Sequence, residues 1–444
     1  MLIDDIVSGD YFVFQLTSES VVRAYISRIE EVNPILNAVI EDRFKQAIED
    51  AKYADKLISF GNLSIEELKE KHPLLVKGSI EVADMKSTAG MLSRANVIAK
   101  TDAVPVKHAR EAGAIPLVTT NIPELCLNWE SSNKLQGTTK NPHNTTRTAG
   151  GSSGGEACLL ASASSIIGLG SDIAGSLRLP AHFCGVWGHK PTPGAVSYVG
   201  HYPSCKNHEV WEAAFTLGPM ARYATDLKFF LQIITEPSMK DKLMLEKPVN
   251  LKELRVYYME DIQSPLTSTV NGNCRDALNK VVGHFNSICY INCEKVKLPL
   301  MKYAPEMASL ALLDIDDVDN LFSGRGEGSY SELFKFLTGR SKSMFTTVAY
   351  GLLRKFTGYL PKTMTENSKN TLNDLKNDFL NLLGSEGVFI LPTFPTEAHY
   401  HGDIINKLLD HGFLSIFNSL GLPVTNCPVT FTDKGLPVGL QESM

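Results

Sequence analysis

One stretch of this chain gathers the residue types that acyl transfer needs. Gly150-Gly151-Ser152-Ser153-Gly154-Gly155-Glu156 is followed by Gly170-Ser171-Asp172-Ile173-Ala174-Gly175-Ser176-Leu177-Arg178, and Lys77 stands upstream after Pro73-Leu74-Leu75-Val76. Glycines let successive backbone N–H groups turn toward one point, which makes a pocket suited to the oxyanion of a tetrahedral intermediate. Serines sit beside it, but a serine hydroxyl is a poor nucleophile without a base. No histidine occurs between residues 150 and 181. A lysine in a desolvated setting can serve instead, because burial favours the neutral amine.

The surroundings fit that chemistry. Residues 150–200 hold 11 of the 33 glycines and only four charged side chains: Glu156, Asp172, Arg178 and Lys190. This is the composition of a buried, loop-rich centre. Charges in such a place must be paired, so Asp172 and Arg178 are read as a scaffold for the loop between them. Ser153 is read as a supporting hydroxyl donor.

The flanking sequence predicts the elements that position these residues. Thr17 or Ser18 caps a helix whose apolar stripe is Val21, Val22, Tyr25, Ile26, Ile29 and Val32. A second helix runs from Phe44 to Leu57, and Ser64-Ile65-Glu66-Glu67 opens a short one ending near Lys71. Pro73–Val76 reads as a buried strand that delivers Lys77. Val104–Ala112 reads as helix stopped by Gly113, and Ile115–Val118 as strand. Glu156–Ile167 reads as a core helix, apolar nearly all round. Short strands are expected near Val388–Leu391 and Val424–Val429. The alternation predicts an α/β architecture.

Composition narrows the class. The chain has 444 residues, a net charge of −6 and 43% hydrophobic residues. These values exclude a disordered or collagen-like chain and give no reason to expect nucleic acid as partner. Eight cysteines without a Cys-x-x-Cys pair read as reduced thiols. No apolar run reaches the roughly 18 residues of a membrane span, and no basic n-region of a signal peptide is evident.

Other motifs compete with the first reading. Gly151-Ser152-Ser153-Gly154-Gly155 also satisfies Gly-x-Ser-x-Gly, which would make Ser153 a nucleophile served by His399, His401 or His411. That leaves the second serine run unexplained. His399, His401 and Asp403 could share one face of a strand as metal ligands, but Pro395 and Gly402 break the pattern and no fourth ligand is evident. Asp314–Asp319 resembles a calcium loop, yet Val318 sits where a ligand is required, so a solvated acidic turn is the better reading.

The Gly-Gly-Ser-Ser-Gly-Gly-Glu, Asp-Ile-Ala-Gly-Ser-Leu-Arg and Gly188-His189-Lys190-Pro191-Thr192-Pro193-Gly194 runs together resemble the amidase signature family. Within it the chain is most similar to the fatty-acid amide hydrolases, the second type especially. Further stretches in support are Glu124-Leu125-Cys126, Glu130-Ser131-Ser132-Asn133-Lys134 and Leu420-Gly421-Leu422-Pro423-Val424-Thr425. The resemblance implies an α/β/α fold with a central mixed β-sheet, as one amidase domain over residues 1–444. Its signature core would span about 72–200 and a more variable helical region about 236–385. It implies a serine hydrolase with a Ser–cis-Ser–Lys triad. Ser176 would be the nucleophile, Ser152 the bridging serine in a cis peptide with Gly151, and Lys77 the base. The N–H groups of Ile173, Ala174, Gly175 and Ser176 would hold the oxyanion, and Cys126 would line the site near the carbonyl. No metal or organic cofactor is implied. The implied partner is a small amide, lipid-like in this subgroup, with a homodimer and a cytoplasmic or peripheral-membrane location as further expectations.

Four positions depart from the family pattern. Ala174 stands where Gly is common, Gly78 where an acidic residue is usual, and Lys71-His72 where Gly-Val is usual. A positive φ at Ala174 would cost energy. The chain stops soon after Gly439-Leu440-Gln441, so a closing strand and helix are expected to be missing, as is an N-terminal hydrophobic anchor. Residues 330–362 carry six basic residues against Glu332, interleaved with Phe and Tyr. They read either as a membrane-resting cap, with Phe345, Val348, Leu352 and Phe356 on its face, or as two helices packed over a substrate channel. Beside the fatty-acid amide reading stand a small-amide amidase, an inactive ligand-binding protein and an amidotransferase component of the A type.

Overall fold

Thr17 caps the first helix as expected: its Oγ1 accepts the Ser20 N–H at 3.1 Å, and helix Ser18–Leu36 buries Val22, Ile26, Ile29, Val32 and Leu36. In this computed structural model residues 17–59, 73–205, 207–313, 315, 328–357 and 359–444 are described. The short helix ending near Lys71, the Lys71-His72 departure and nearly all of the acidic turn 314–319 lie outside them.

The strands, in chain order, are β1 (Val39–Asp42), β2 (Pro73–Lys77), β3 (Ile115–Thr120), β4 (Ser132–Asn133), β5 (Gly137–Thr138), β6 (Ile167–Asp172), β7 (Trp187–Lys190), β8 (Thr216–Ala221), β9 (Arg255–Tyr258), β10 (Cys293–Lys295), β11 (Gly387–Pro392), β12 (Val424–Phe431) and β13 (Pro437–Ser443). Eleven form one mixed sheet in the order β1-β3-β2-β6-β8-β7-β12-β13-β11-β9-β10, while β4 and β5 make a small hairpin. β2 is parallel to both β3 and β6, and β6 is antiparallel to β8.

Strand periodicity sends alternate side chains to opposite faces. Leu74 and Val76 of β2 join Val106, Ala109, Phe230 and Leu231 from helices Val104–Glu111 and Ala224–Ile234. Leu75 faces the other way, into Ile26, Ile29, Ala47 and Leu159 from helices Ser18–Leu36, Phe44–Ser59 and Gly154–Ala161. At the far end Phe389 and Leu391 of β11 pack on Phe379 and Phe417, from helices Lys362–Leu383 and Gly412–Leu420. Val388 and Ile390 pack with Leu278 of helix Gly272–Ser287. Helices therefore cover both faces, which is the expected α/β/α arrangement.

Two expectations are corrected. The core helix does not reach Ile167: it starts at Gly154 and ends at Ala161. There the Ser162 hydroxyl bonds back to the carbonyls of Cys158 and Leu159, Ala163 turns to φ 60°, and β6 begins at Ile167. Residues 437–443, to which the sequence reading assigned no element, form β13 between β12 and β11.

Phe389 is fully buried between Phe379, 5.1 Å away edge-on, and Phe417. Phe389→Ala should cost about 3–5 kcal/mol of stability, the range for emptying an aromatic core site. Urea denaturation followed by circular dichroism checks this.

Candidate active site

Parallel pairing of β2 with β6 aligns their C-terminal ends, Val76 opposite Leu169, so Lys77 and Ser171-Asp172 leave the sheet side by side. The Gly-rich turns after β6 and before helix Gly154–Ala161 close over the same point. Lys77 is fully buried; its Nζ lies 2.6 Å from Ser152 Oγ, 2.7 Å from Ser171 Oγ and 3.4 Å from Ser171 O. Burial lowers its pKa, an effect that Cys126, Asp172 and Glu156 only partly oppose. A neutral amine keeps a lone pair, so it can accept one hydroxyl proton while donating elsewhere. The Gly151–Ser152 peptide is cis, as the resemblance implied.

Ser176 lies in the turn after β6, and its carbonyl accepts the Ser153 N–H at 3.2 Å. No hydrogen bond among the described residues joins Ser152 Oγ to Ser176 Oγ; catalytic contacts commonly tighten only with substrate bound. The N–H groups of Ile173, Ala174 and Ser176 have no partner among the described residues. Gly175 differs from expectation: its N–H donates to Asp172 Oδ1 at 2.7 Å and is not free for an oxyanion. Gly175 also takes the positive φ of the loop, 97°, while Ala174 keeps an ordinary one. Alanine at 174 is therefore unstrained. Gly78 is likewise accounted for, since a Cβ there would come within 2.6 Å of the Thr120 carbonyl oxygen.

Asp172 and Arg178 pair as expected. Both are fully buried, with Arg178 Nη2 3.1 Å from Asp172 Oδ1 and Nε 3.2 Å from Oδ2. Asp172 Oδ2 also accepts the Leu177 N–H. Burial would raise the Asp172 pKa, but the guanidinium and these N–H donors hold it far below the usual carboxylate range. Arg178 reaches onward to Leu414 O, Asn418 Oδ1 and Gln441 Oε1. The turn that carries Ser176 is thereby tied to helix Gly412–Leu420 and to β13.

Ser153 Oγ donates to Ser171 O at 3.4 Å, the supporting role read for it. The nucleophile-elbow reading of Ser153 loses its histidines. His401 pairs with Glu130, His411 bonds Ser309 and Ser415, and the His399 ring packs among Phe183 and Phe394. His399, His401 and Asp403 form no metal-ligand cluster among the described residues.

Four residues that motif reading left without a role also matter here. Ser171 is the second hydroxyl on Lys77. Glu156 is fully buried, with Thr120 Oγ1 donating to it at 3.1 Å, and burial raises its pKa well above the ordinary carboxyl value. Glu130 braces the segment behind the cis peptide: next to it, Ser131 Oγ accepts the Gly154 N–H and donates to Ser152 O. Glu124 opens the turn Glu124–Cys126, in which Leu125 and Cys126 both have positive φ, 54° and 59°. Cys126 sits beside Lys77 and is among the groups that act on its amine. All eight cysteines are free thiols.

Comparison with known proteins decides the family. The amidase family model matches residues 20–442. The chain belongs to the amidase family. It is 39% identical to fatty-acid amide hydrolase 2-B of Danio rerio over 442 residues, covering 96% of this chain and 83% of that protein. It is 37% identical to fatty-acid amide hydrolase 2 of Homo sapiens, covering 95% and 81%. A glutamyl-tRNA(Gln) amidotransferase chain of Thermosynechococcus vestitus is a more distant relative, at 28% identity over 96% of this chain and 90% of that protein. A solved fatty acid amide hydrolase has the same fold, with a TM-score of 0.75 at 22% identity, covering all of this chain and 80% of that one. Within this fold Lys77 is fully buried at the end of β2, beside the turn after β6 that carries Ser176.

His401 Nδ1 lies 2.5 Å from Glu130 Oε1, and Gly402 N donates to Oε2. Bonding to Glu130 raises the His401 pKa; burial would raise that of Glu130, but His401 and Gly402 bring it below normal. A raised histidine pKa stabilises the fold below the ordinary value near 6.5 and loses that contribution as pH rises through the folded value. A lowered carboxyl pKa contributes above about 4.5 and is lost on acidification. The pair is therefore worth most between about pH 5 and 6.5. His401→Ala should lower the melting temperature more at pH 6 than at pH 9, and the stability lost should be at most about 1 kcal/mol since the histidine is partly exposed.

Proposed function

We propose that this amidase cleaves fatty-acid amides through an acyl-enzyme formed on Ser176. The observation that carries the reading is the buried Lys77, its pKa lowered, held 2.6 Å from Ser152 Oγ beside the turn of Ser176, where the N–H groups of Ile173, Ala174 and Ser176 have no partner among the described residues. Neutral Lys77 takes a proton from Ser152 as Ser152 takes one from Ser176. Ser176 Oγ attacks the amide carbonyl, and the N–H groups of Ile173, Ala174 and Ser176 receive the oxyanion. Loss of one such donor typically costs about 10²–10³ in rate. The protonated Lys77 then returns its proton through Ser152 to the leaving amine, which departs poorly as an anion. Water hydrolyses the acyl-enzyme and regenerates Ser176.

The fatty-acid preference and a membrane contact are supported by the likeness to fatty-acid amide hydrolases and by the surface of residues 329–359. Helices Ser329–Leu337 and Phe345–Thr357 stand as a pair. The apolar face expected on the second helix is divided. Val348 is buried and packs inward, whereas Phe345, Leu353 and Phe356 are exposed together with Tyr330, Phe334, Leu337 and Tyr359. Lys355 lies over the Tyr330 ring, 4.4 Å from its centre, with exposed Arg340, Lys342 and Lys362 nearby in sequence. Exposed aromatic and aliphatic side chains ringed by basic ones suit an anionic membrane surface. No helix of the described residues is long and apolar enough to cross a membrane.

A fluorophosphonate with a long alkyl chain should add once to the intact protein, on Ser176, and not to Ser176→Ala, read by intact mass. Lys77→Ala should slow the reaction by about 10²–10⁴, the range for a lost general base. Because only the neutral amine is active, the rate should rise with pH and level off below 10.5. Absence of an adduct on folded wild-type protein would overturn the hydrolase mechanism in favour of ligand binding alone. The protein should sediment with vesicles containing phosphatidylserine, and Phe334→Glu with Phe356→Glu should abolish this; equal sedimentation of both would refute the contact.

A further inference from the structure

Glu124 is a carboxylate buried to 2% exposure that no step of the proposed reaction uses. It lies two residues before Cys126, in the turn beside Lys77. Its Oε2 accepts the backbone N–H of Met344, at 2.5 Å, and the hydroxyl of Thr347, at 3.1 Å, each more than 200 residues away along the chain. Met344 immediately precedes helix Phe345–Thr357, and its carbonyl accepts the Val348 N–H. A carboxylate there satisfies an end-of-helix donor and faces the positive end of the helix dipole. Thr347 is itself fully buried, and Ser343 is 1% exposed. A second tether joins the same loop to the signature core, where Lys134 Nζ donates to Ser341 O at 2.9 Å.

The turn that Glu124 opens has little freedom. Leu125 N donates to Ala89 O at 2.8 Å, and Leu125 and Cys126 are both in the left-handed region. Glu124 thus joins two things by one side chain: the turn bordering the reacting amine, and the first turn of a helix whose outer residues are apolar. Helix and catalytic turn cannot shift apart without stripping a buried carboxylate of its donors, which is costly.

We propose that Glu124 is a positioning residue that sets the preference for long acyl chains. It fixes the start of helix Phe345–Thr357 against the Glu124–Cys126 turn, so that a chain leaving the reacting carbonyl meets an ordered apolar wall. A substrate too short to reach the helix gains nothing from the link. This rests on the acyl-enzyme reading above.

The test measures second-order inactivation rates of the full chain by two fluorophosphonates, one ethyl and one dodecyl, with melting temperatures recorded alongside. The variants are Glu124→Ala, Glu124→Gln and Thr347→Val. Losing a helix-end acceptor of this kind should slow the dodecyl probe about tenfold in Glu124→Ala and the ethyl probe less than about twofold. Glu124→Gln keeps a carbonyl oxygen for both donors and should restore most of the dodecyl rate. Thr347→Val removes one donor and should lower the dodecyl rate by about threefold, which keeps the test decisive if Glu124→Ala does not fold. Equal slowing of both probes, or of neither, overturns the proposal. Failure of both probes to label wild-type Ser176 overturns instead the acyl-enzyme reading on which it rests.

Discussion

A fully buried amine disfavours its own charge, and the centre of this molecule is built around that constraint at Lys77. Desolvation at the end of β2 lowers its pKa, but the same low dielectric penalises every other charge nearby. Each of the four charged residues in the 150–200 segment meets that penalty in its own way. Burial raises the Glu156 pKa well above the ordinary carboxyl value. Asp172 and Arg178 are charged and paired. Lys190, fully buried and donating to Pro191 O, is pushed down to about 7 by burial and by Arg178. One buried ion pair is thus set among groups whose charged forms burial disfavours, and it shapes the turn that carries Ser176.

The ion pair also explains how loop geometry becomes rigid. Asp172 takes the N–H groups of Gly175 and Leu177, which aims the intervening turn outward. Trp129 Nε1 holds the Ala174 carbonyl at 2.9 Å from the opposite side. Among the described residues, the N–H groups that remain, at Ile173, Ala174 and Ser176, are unpartnered because their neighbours are already engaged. Preorganised donors of this kind need no rearrangement as charge develops.

Much of this was legible in the sequence because it is local. The glycine and serine runs, the buried strand ending at Lys77 and the Thr17 cap all depend on residues within a few positions of one another. The lone charges Asp172 and Arg178 declared their pairing by standing in an uncharged segment. What escaped was set by partners far along the chain. The contact of Ser171 with Lys77 spans 94 residues and depends on the β2–β6 register. Glu124 and Glu130 find their partners more than 200 residues away, and nothing in their neighbourhoods marks them. The end of helix Gly154–Ala161 was missed because Ser162 and Ala163 are not strong breakers; a side-chain bond and a left-handed turn end it. Periodicity placed Val348 on one face with Phe345 and Phe356 but could not say how the face divides, and Val348 is buried while the two phenylalanines are exposed.

The guanidinium of Arg178 carries a consequence for biosynthesis. Three of its acceptors, Leu414 O, Asn418 Oδ1 and Gln441 Oε1, are made more than 230 residues after it. Until the ribosome has passed residue 441, Arg178 has no complete set of partners, and β13 cannot enter between β12 and β11. The turn that carries Ser176, though translated before the middle of the chain, therefore lacks part of its scaffold until synthesis is almost finished. Such long-range closure is slow and exposes unpaired strand edges to aggregation. A nascent chain stalled before that point would hold the residues of the reactive serine turn with its buried scaffold unassembled.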